Sequence, residues 1–417
     1  MLNSHLRILI VIFFAVIAIS SACLEVAEVS PGSDRDRPSN FGEDIDFLRK
    51  FKDVVLLSDK LGLAQVAVVP DYQGRVMSST AEGRDGPSFG WINYELIESG
   101  NLEPHVNFFG GEDRFWMGPE GGQFSIFFKS GDPFDLEHWQ TPEVIDTLTY
   151  EIVGSRQDSV SFRHQNNLVN YSGTVFNFTI DRQVRLLSDD EVSDKIGTVP
   201  SGSRGVAYES VNRLTNRGPN TWTREEGLLS IWILGMFRHS PVTTVVIPIR
   251  EGEVAMLGPV VNDSYFGKVP EERLAVVGGH IFFKADGAYR SKIGVSPSRA
   301  TGMAGSYNAA SGALTLTQYD QPEGILEYVN SMWEIQAEPF SGDAINSYND
   351  GPPSPEMPPM GPFYELETSS PAVELEPGDF VTHRHRTMYF TGSREVIEKL
   401  SQQSLGLGLD DIVASLP

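Results

Sequence analysis

Cysteine is almost absent from this chain: one residue in 417, Cys23. No intrachain disulfide can form, so stability must come from core burial, which a chain of this length can supply. Positive charge is also scarce. Against 32 lysines and arginines stand 56 aspartates and glutamates, a formal net charge of −24. That balance argues against a nucleic-acid partner, because phosphate backbones need a basic footprint. It argues equally against a basic patch on a membrane surface. After Cys23 no hydrophobic run approaches the roughly 18–20 residues that span a bilayer. Metal patterns are missing too: there is no H-x-x-x-H, no second cysteine and no EF-hand loop, so neither a metal nor another cofactor is expected.

What is present begins at the N-terminus. One arginine, Arg7, precedes the apolar run Ile8–Ile19, and Ser20-Ser21-Ala22 lead to Cys23. This order predicts a secretory signal over residues 1–22, too short to be a membrane span. Cys23 stands where a bacterial lipoprotein signal places its lipidated cysteine, although Ser20 occupies a position where leucine is usual. A cleaved signal with an incidental cysteine is the other reading. Residues 23–44 are polar and without periodicity, which predicts a flexible tether. The protein is therefore expected in a bacterial cell envelope, periplasm-facing or on the outer membrane, touching the membrane only through a lipid anchor.

Residues 45–417 are expected to form a single domain. Phe47, Leu48, Phe51, Val54 and Val55 fall at helical spacing and predict one helix over Ile45–Leu57. Then the texture changes to short runs rich in Val, Ile, Thr, Phe and Tyr, separated by turn signals such as Asp71–Gly74, Asn170–Gly173 and Asp181-Arg182. The runs include Val175–Ile180, Gln183–Leu187, Leu228–Phe237, Leu274–Phe283 and Ile325–Ala337. Such a pattern predicts a large antiparallel β-sandwich, with Ser393–Leu400 and Asp410–Leu416 as terminal helical turns.

Two segments carry candidate chemistry. In Phe363–Phe390, Glu367 precedes a turn at Pro377-Gly378-Asp379 and a strand bearing His383 and His385. A carboxylate and imidazoles on adjacent antiparallel strands suit acid–base work on a sugar, and they equally suit a solvated strand edge. In Phe108–Phe127, paired glycines flank Glu112, Asp113, Arg114, Trp116 and Glu120. An indole face beside acids and an arginine suits a saccharide, whose C–H faces stack on rings. The same residues also fit a packed turn in which Arg114 pairs with Glu112 or Glu120. A phosphate loop is excluded by the spacing and by the lack of a following Lys-Ser/Thr. His280 in VVGGHIFF reads either as a core histidine or as a site residue, as does His239 at a strand end. Asn349 and Asp350, read as part of a loop over Asn346–Gly351, suit hydroxyl binding or simply a tight turn.

With these segments in hand, the chain resembles the galactose-mutarotase-like superfamily of aldose 1-epimerases and, within it, a family of bacterial lipoproteins. The resemblance covers residues 60–392. It rests on the Ala67–Val76 hairpin, Gly110–Trp116, Leu214–Asn216 leading into Leu228–Leu234, and the late block Glu367–Asp379. It implies a β-supersandwich with a sugar site on its concave face. It also implies that Glu367 is the base for the anomeric hydroxyl and that a histidine after the mid-chain asparagine is the acid. Here Arg217 follows Asn216, and arginine does not donate protons at neutral pH. His239, His280 or the His383/His385 pair would have to supply the acid. Trp116 would stack, while Arg114, Glu120 and Arg217 would orient hydroxyls of a neutral or acidic sugar. The expected function is carbohydrate binding with epimerase-like proton transfer. A non-catalytic carbohydrate-binding or scaffold lipoprotein is the alternative, and a glycoside hydrolase or lyase using Glu120 with Glu367 is a further one.

Overall fold

The computed structural model describes residues 40–324, 327–354 and 356–417. The expected signal, Cys23 and the tether through residue 39 lie outside the described residues. In chain order the strands are β1 (Val55–Ser58), β2 (Gln65–Val69), β3 (Arg75–Thr80), β4 (Arg114–Gly118), β5 (Glu151–Ser155), β6 (Ser159–Val169), β7 (Val175–Leu186), β8 (Arg204–Asn216), β9 (Ser230–Arg238), β10 (Thr243–Pro248), β11 (Leu274–Val277), β12 (His280–Lys284), β13 (Ser291–Val295), β14 (Met303–Asn308), β15 (Ala313–Tyr319), β16 (Ile345–Asn349), β17 (Phe363–Ser369) and β18 (Phe380–Thr391). They form a small sheet β1-β2-β3, a ten-stranded sheet β11-β12-β10-β14-β15-β18-β8-β7-β6-β5 and a five-stranded sheet β13-β16-β17-β9-β4. The pairing is antiparallel throughout.

The two larger sheets stack because alternate residues on each are apolar. Phe115, Ile231, Ile233, Ile293, Ile345 and Leu366 from the smaller sheet share one buried cluster with Ile180, Leu214, Val245 and Ile247 from the larger. Each such side chain contributes about 1.5–3 kcal/mol on burial. Polar pins cross the same interface. Thr368 Oγ1 lies 2.7 Å from His383 Nε2 and 2.8 Å from His385 Nδ1, and the Tyr364 and Ser306 hydroxyls are 2.6 Å apart. The outer face of the ten-stranded sheet is covered by helices Arg394–Leu405 and Leu409–Ala414, whose Ile397, Leu400, Leu405 and Ile412 pack on Leu314, Leu316 and Met388. The mainly β architecture with short terminal helices is thus as expected.

Several local expectations change. The first helix spans Phe41–Phe51, capped by Asn40, whose side chain accepts from Glu43 N. It starts inside the expected tether because Phe41 and Asp44 are buried. It stops early because Val55–Ser58 pairs with β2. Asp181-Arg182 is no turn: both sit within β7, where Arg182 is buried and ion-paired to Asp113 at 2.6 Å. Leu274–Phe283 is two strands hinged at Gly278-Gly279. Ile325–Ala337 contributes no strand among the described residues. Asn346–Asn349 is strand rather than loop; its turn-like polar residues are satisfied by neighbours, as when Ser347 Oγ donates to the Glu365 carbonyl at 2.8 Å. Finally, β17 and β18 are not adjacent strands of one sheet but lie in opposed sheets.

The paired glycines have a steric reason. Gly110 has φ 90°, and a Cβ there would lie 2.1 Å from the Trp91 carbonyl oxygen. They admit Glu112 to the interior, where Oε1 accepts from Ser79 N at 2.7 Å and Oε2 accepts from Tyr208 Oη at 3.0 Å. Burial nevertheless pushes its pKa up to about 7. The native state therefore holds a proton that the unfolded chain releases near pH 4.5, so stability falls as pH rises from about 4.5 to about 7, by about 3 kcal/mol in all. Glu112→Gln should remove this loss. Denaturant titrations should show the variant gaining on the wild type between pH 5 and pH 8, and parallel profiles would refute the assignment. His383 and His385 act on the acid side. Burial lowers them to about 3 and about 4. Their neutral packing is fully stabilising above about pH 6.5 and is lost as pH falls toward 4. His385→Gln should flatten that acid limb in the same titration.

Candidate functional site

The face of the five-stranded sheet turned away from the sandwich core floors a cavity of about 600 Å³. Register explains its contents. Arg114 lies opposite Leu234, and Trp116 opposite Trp232. Glu367 faces Leu234 on one side and Asn346 on the other, while Tyr348 lies between Glu365 and Lys292. Because side chains alternate, all of these residues emerge on one face. Loops add Trp139, Tyr265, Arg290, Trp333 and Asp343 to the walls.

At the centre is an ion pair. Lys292 Nζ lies 2.9 Å from Glu367 Oε2, and Trp232 Nε1 donates to the same oxygen at 2.9 Å. Glu367 is fully buried, and its Oε1 has no hydrogen-bond partner among the described residues. The ammonium also sits 4.5 Å from the centre of the Trp232 ring. Burial alone would lower the pKa of Lys292, but Glu367, Glu120 and Glu365 together outweigh it and raise the value. Two residues before Glu367, Glu365 does line the cavity, and among the described residues its carboxyl has neither a hydrogen-bond nor an ion-pair partner. Desolvation, reinforced by the Glu367 charge, raises its pKa well above the carboxylate range.

The walls carry further carboxyls. Glu120 Oε1 accepts from Trp333 Nε1 at 3.0 Å, and Asp343 Oδ2 accepts from Tyr265 Oη at 2.6 Å. Burial raises the pKa of both. Arg114 pairs with Asp146 at 3.1 Å rather than with Glu112 or Glu120, and its guanidinium lies 3.9 Å from the Trp116 ring centre. Arg290 Nε donates to Tyr348 Oη at 3.2 Å, and its guanidinium stacks on Phe266 at 4.2 Å.

Arg114, Trp116 and Glu120 therefore line the cavity, with Glu367 beneath its floor. The other nominated residues lie elsewhere. His383 and His385 are inside the sandwich on the Thr368 side of β17, the opposite side from Glu367, because neighbouring residues of a strand face opposite ways. His280 bonds the Gly278 and Leu405 carbonyls beside the C-terminal helices. His239 packs against Gly287 and does not line the cavity. Arg217 is exposed and donates to Thr179 Oγ1. Asn349 ties down the Gly287 and Tyr289 backbone, and Asp350 accepts from Tyr348 Oη and Gly361 N. Sequence reasoning passed over Lys292, Arg290, Asp343, Trp139 and Trp333. It also gave no role to His105, which lines the cavity with Nδ1 2.7 Å from the Trp139 carbonyl oxygen. Glu365 had a usable signal, the polar–apolar–polar order Glu365-Leu366-Glu367. Among the described residues there is no group of three potential metal ligands and no helix long and apolar enough to cross a membrane.

Comparison with known proteins adds the following. No curated protein matches the sequence. The fold is similar to that of the Slr1438 protein from Synechocystis sp. PCC 6803, at 13% identity and TM-score 0.49, covering 81% of this chain and 97% of that one. It is similar to a galactose mutarotase-like protein from Lactobacillus casei, at 10% identity and TM-score 0.47, covering 81% and 100%. A galactose mutarotase related enzyme from Lactobacillus acidophilus aligns at 9% identity and TM-score 0.45, covering 82% and 98%. Residues 39–416 match the Family of unknown function (DUF6786), and the chain belongs to that family.

Proposed function

We propose that this protein binds a carbohydrate in the cavity of the five-stranded sheet and does so at the cell envelope, held by a lipid on Cys23. One observation carries the ligand class. Four of the six tryptophans in the chain, Trp116, Trp139, Trp232 and Trp333, line a single cavity together with Glu120, Glu365, Asp343, Arg114, Arg290 and Lys292. Indole faces suit the C–H surfaces of a sugar ring, and the carboxyls and cations suit its hydroxyls. The volume falls within the range of about 300–1,000 Å³ usual for small-ligand sites. Proton transfer at the anomeric carbon is a second reading, favoured by Glu367: its Oε1 is unclaimed and available as an acceptor once the side chains above it admit a hydroxyl.

Calorimetry against a panel of neutral aldoses and uronates tests the first reading. Saturable binding to at least one sugar is expected, and Trp333→Ala should weaken it by roughly tenfold, since a lost stacking face costs about 0.5–1.5 kcal/mol and Glu120 also loses its donor. A folded protein that binds no member of the panel would sink the proposal. For the anchor, fatty-acid labelling in a bacterial host should mark the wild type and leave Cys23→Ser unlabelled.

A further inference from the structure

We propose that Glu365, rather than a histidine, donates the proton to the sugar ring oxygen in this cavity, with Glu367 as its complementary base. The inference rests on the carbohydrate reading and deepens its catalytic branch.

The geometry comes first. Glu365 and Glu367 are two residues apart on β17, so they share a face with a spacing of about 7 Å. Glu367 is engaged by Lys292 and Trp232. Arg114, a neighbouring cation, is already taken by Asp146 and the Trp116 face. Glu365 is 7% exposed and has no partner of its own among the described residues. A buried carboxyl in that position, beside an ionised one, avoids a second negative charge by keeping its proton. In that form it is an O–H donor on the cavity face. The largest charged influences on it are Glu367, Lys292, Arg114 and Asp350, and His105 also lines the cavity.

The step balances. Once the side chains above it admit the anomeric hydroxyl, Glu367 takes its proton, and the electron pair of that O–H bond forms the carbonyl at C1. The bond from C1 to the ring oxygen breaks, and that oxygen receives the Glu365 proton. The open-chain aldehyde turns about C1–C2 and closes by the reverse transfers, giving the other anomer. The negative charge moves from Glu367 to Glu365 and back, and Lys292 interacts electrostatically with both carboxyls, so neither state lacks a counter-charge.

The test has two arms. Infrared difference spectra of wild type minus Glu365→Gln at neutral pH should show a carboxylic-acid carbonyl component lost in the variant, on top of the bands of other protonated carboxyls such as Glu112, and this arm needs no ligand. Glutamine is close in shape to the protonated acid, so the fold should tolerate it; near-ultraviolet circular dichroism checks this. Polarimetry on the sugars that bind should then show Glu365→Gln slowing anomer exchange by about 100-fold or more while affinity changes less than threefold. The wild-type rate should fall as alkaline pH ionises Glu365. Arg217→Ala, at the exposed position after Asn216, should leave the rate unchanged. No loss of the infrared band, an unchanged rate in Glu365→Gln, or a wild type that binds sugar without accelerating anomer exchange each overturns the proposal. If calorimetry finds no sugar bound at all, the carbohydrate reading itself has failed, and the proton-transfer role goes with it.

Discussion

Everything in the site depends on the two-residue alternation of five antiparallel strands. One face of the small sheet must be apolar, because it is sealed against the ten-stranded sheet by Phe115, Ile231, Ile233, Ile293, Ile345 and Leu366. The other face is then free of that requirement. Since all five strands keep the same alternation across their ladders, Arg114, Trp116, Trp232, Lys292, Asn346, Tyr348 and Glu365 are delivered together to the cavity side. A slip of one residue in β13 would place Lys292 in the sandwich core and Ile293 in the cavity. Register is therefore fixed by the apolar side, and the polar side inherits its order from it.

The same desolvation governs buried polar groups on both faces of this sheet, with different consequences. Between the sheets, His383 and His385 stay neutral and share Thr368 Oγ1, so their burial is offset by hydrogen bonds. Arg182 and Asp113 offset theirs by pairing at 2.6 Å. On the cavity side Glu367 leaves one oxygen without a hydrogen bond, as Asp113 does in the core, and Glu365 has neither a hydrogen-bond nor an ion-pair partner among the described residues, only the longer-range field of Lys292 and Arg114. Glu365 differs from the core groups in lining the cavity, where a ligand hydroxyl can reach it.

The sandwich was legible in the sequence because β-rich runs and turn residues alternate so regularly, and the terminal helices because their apolar positions recur at helical spacing. The errors share a cause. Asp181-Arg182 and Asn346–Asn349 have the composition of turns, yet they lie in buried strands where a distant partner, Asp113 or the Glu365 carbonyl, satisfies them. Local composition cannot show a partner dozens of residues away. The cavity was half visible for the same reason. Arg114, Trp116 and Glu120 sit together in one glycine-flanked segment, whereas Lys292, Arg290, Asp343 and Trp333 come from short strands and loops with no pattern of their own. The histidines misled because i and i+2 on a strand near Glu367 suggested a shared surface, but the chain crosses from one sheet to the other between β17 and β18.

If the cavity holds a sugar, as proposed above, its charges bear on which sugar suits it. Of its three cations, Lys292 is neutralised by Glu367 and Arg114 by Asp146. Arg290 alone has no carboxylate within ion-pair distance among the described residues, its bond being to the Tyr348 hydroxyl. A uronate could use only that one cation, and it would bring its own charge toward Glu120, Asp343 and Glu365, whose ionised forms burial already disfavours. Like charges brought together in a low-dielectric site repel strongly. A neutral sugar meets no such opposition. Its hydroxyls can donate to the accepting oxygens of Glu120 and Asp343 and accept from Arg290 without adding charge. Electrostatics therefore favours a neutral aldose over an acidic one, and the preference follows from the two ion pairs that already occupy the other cations.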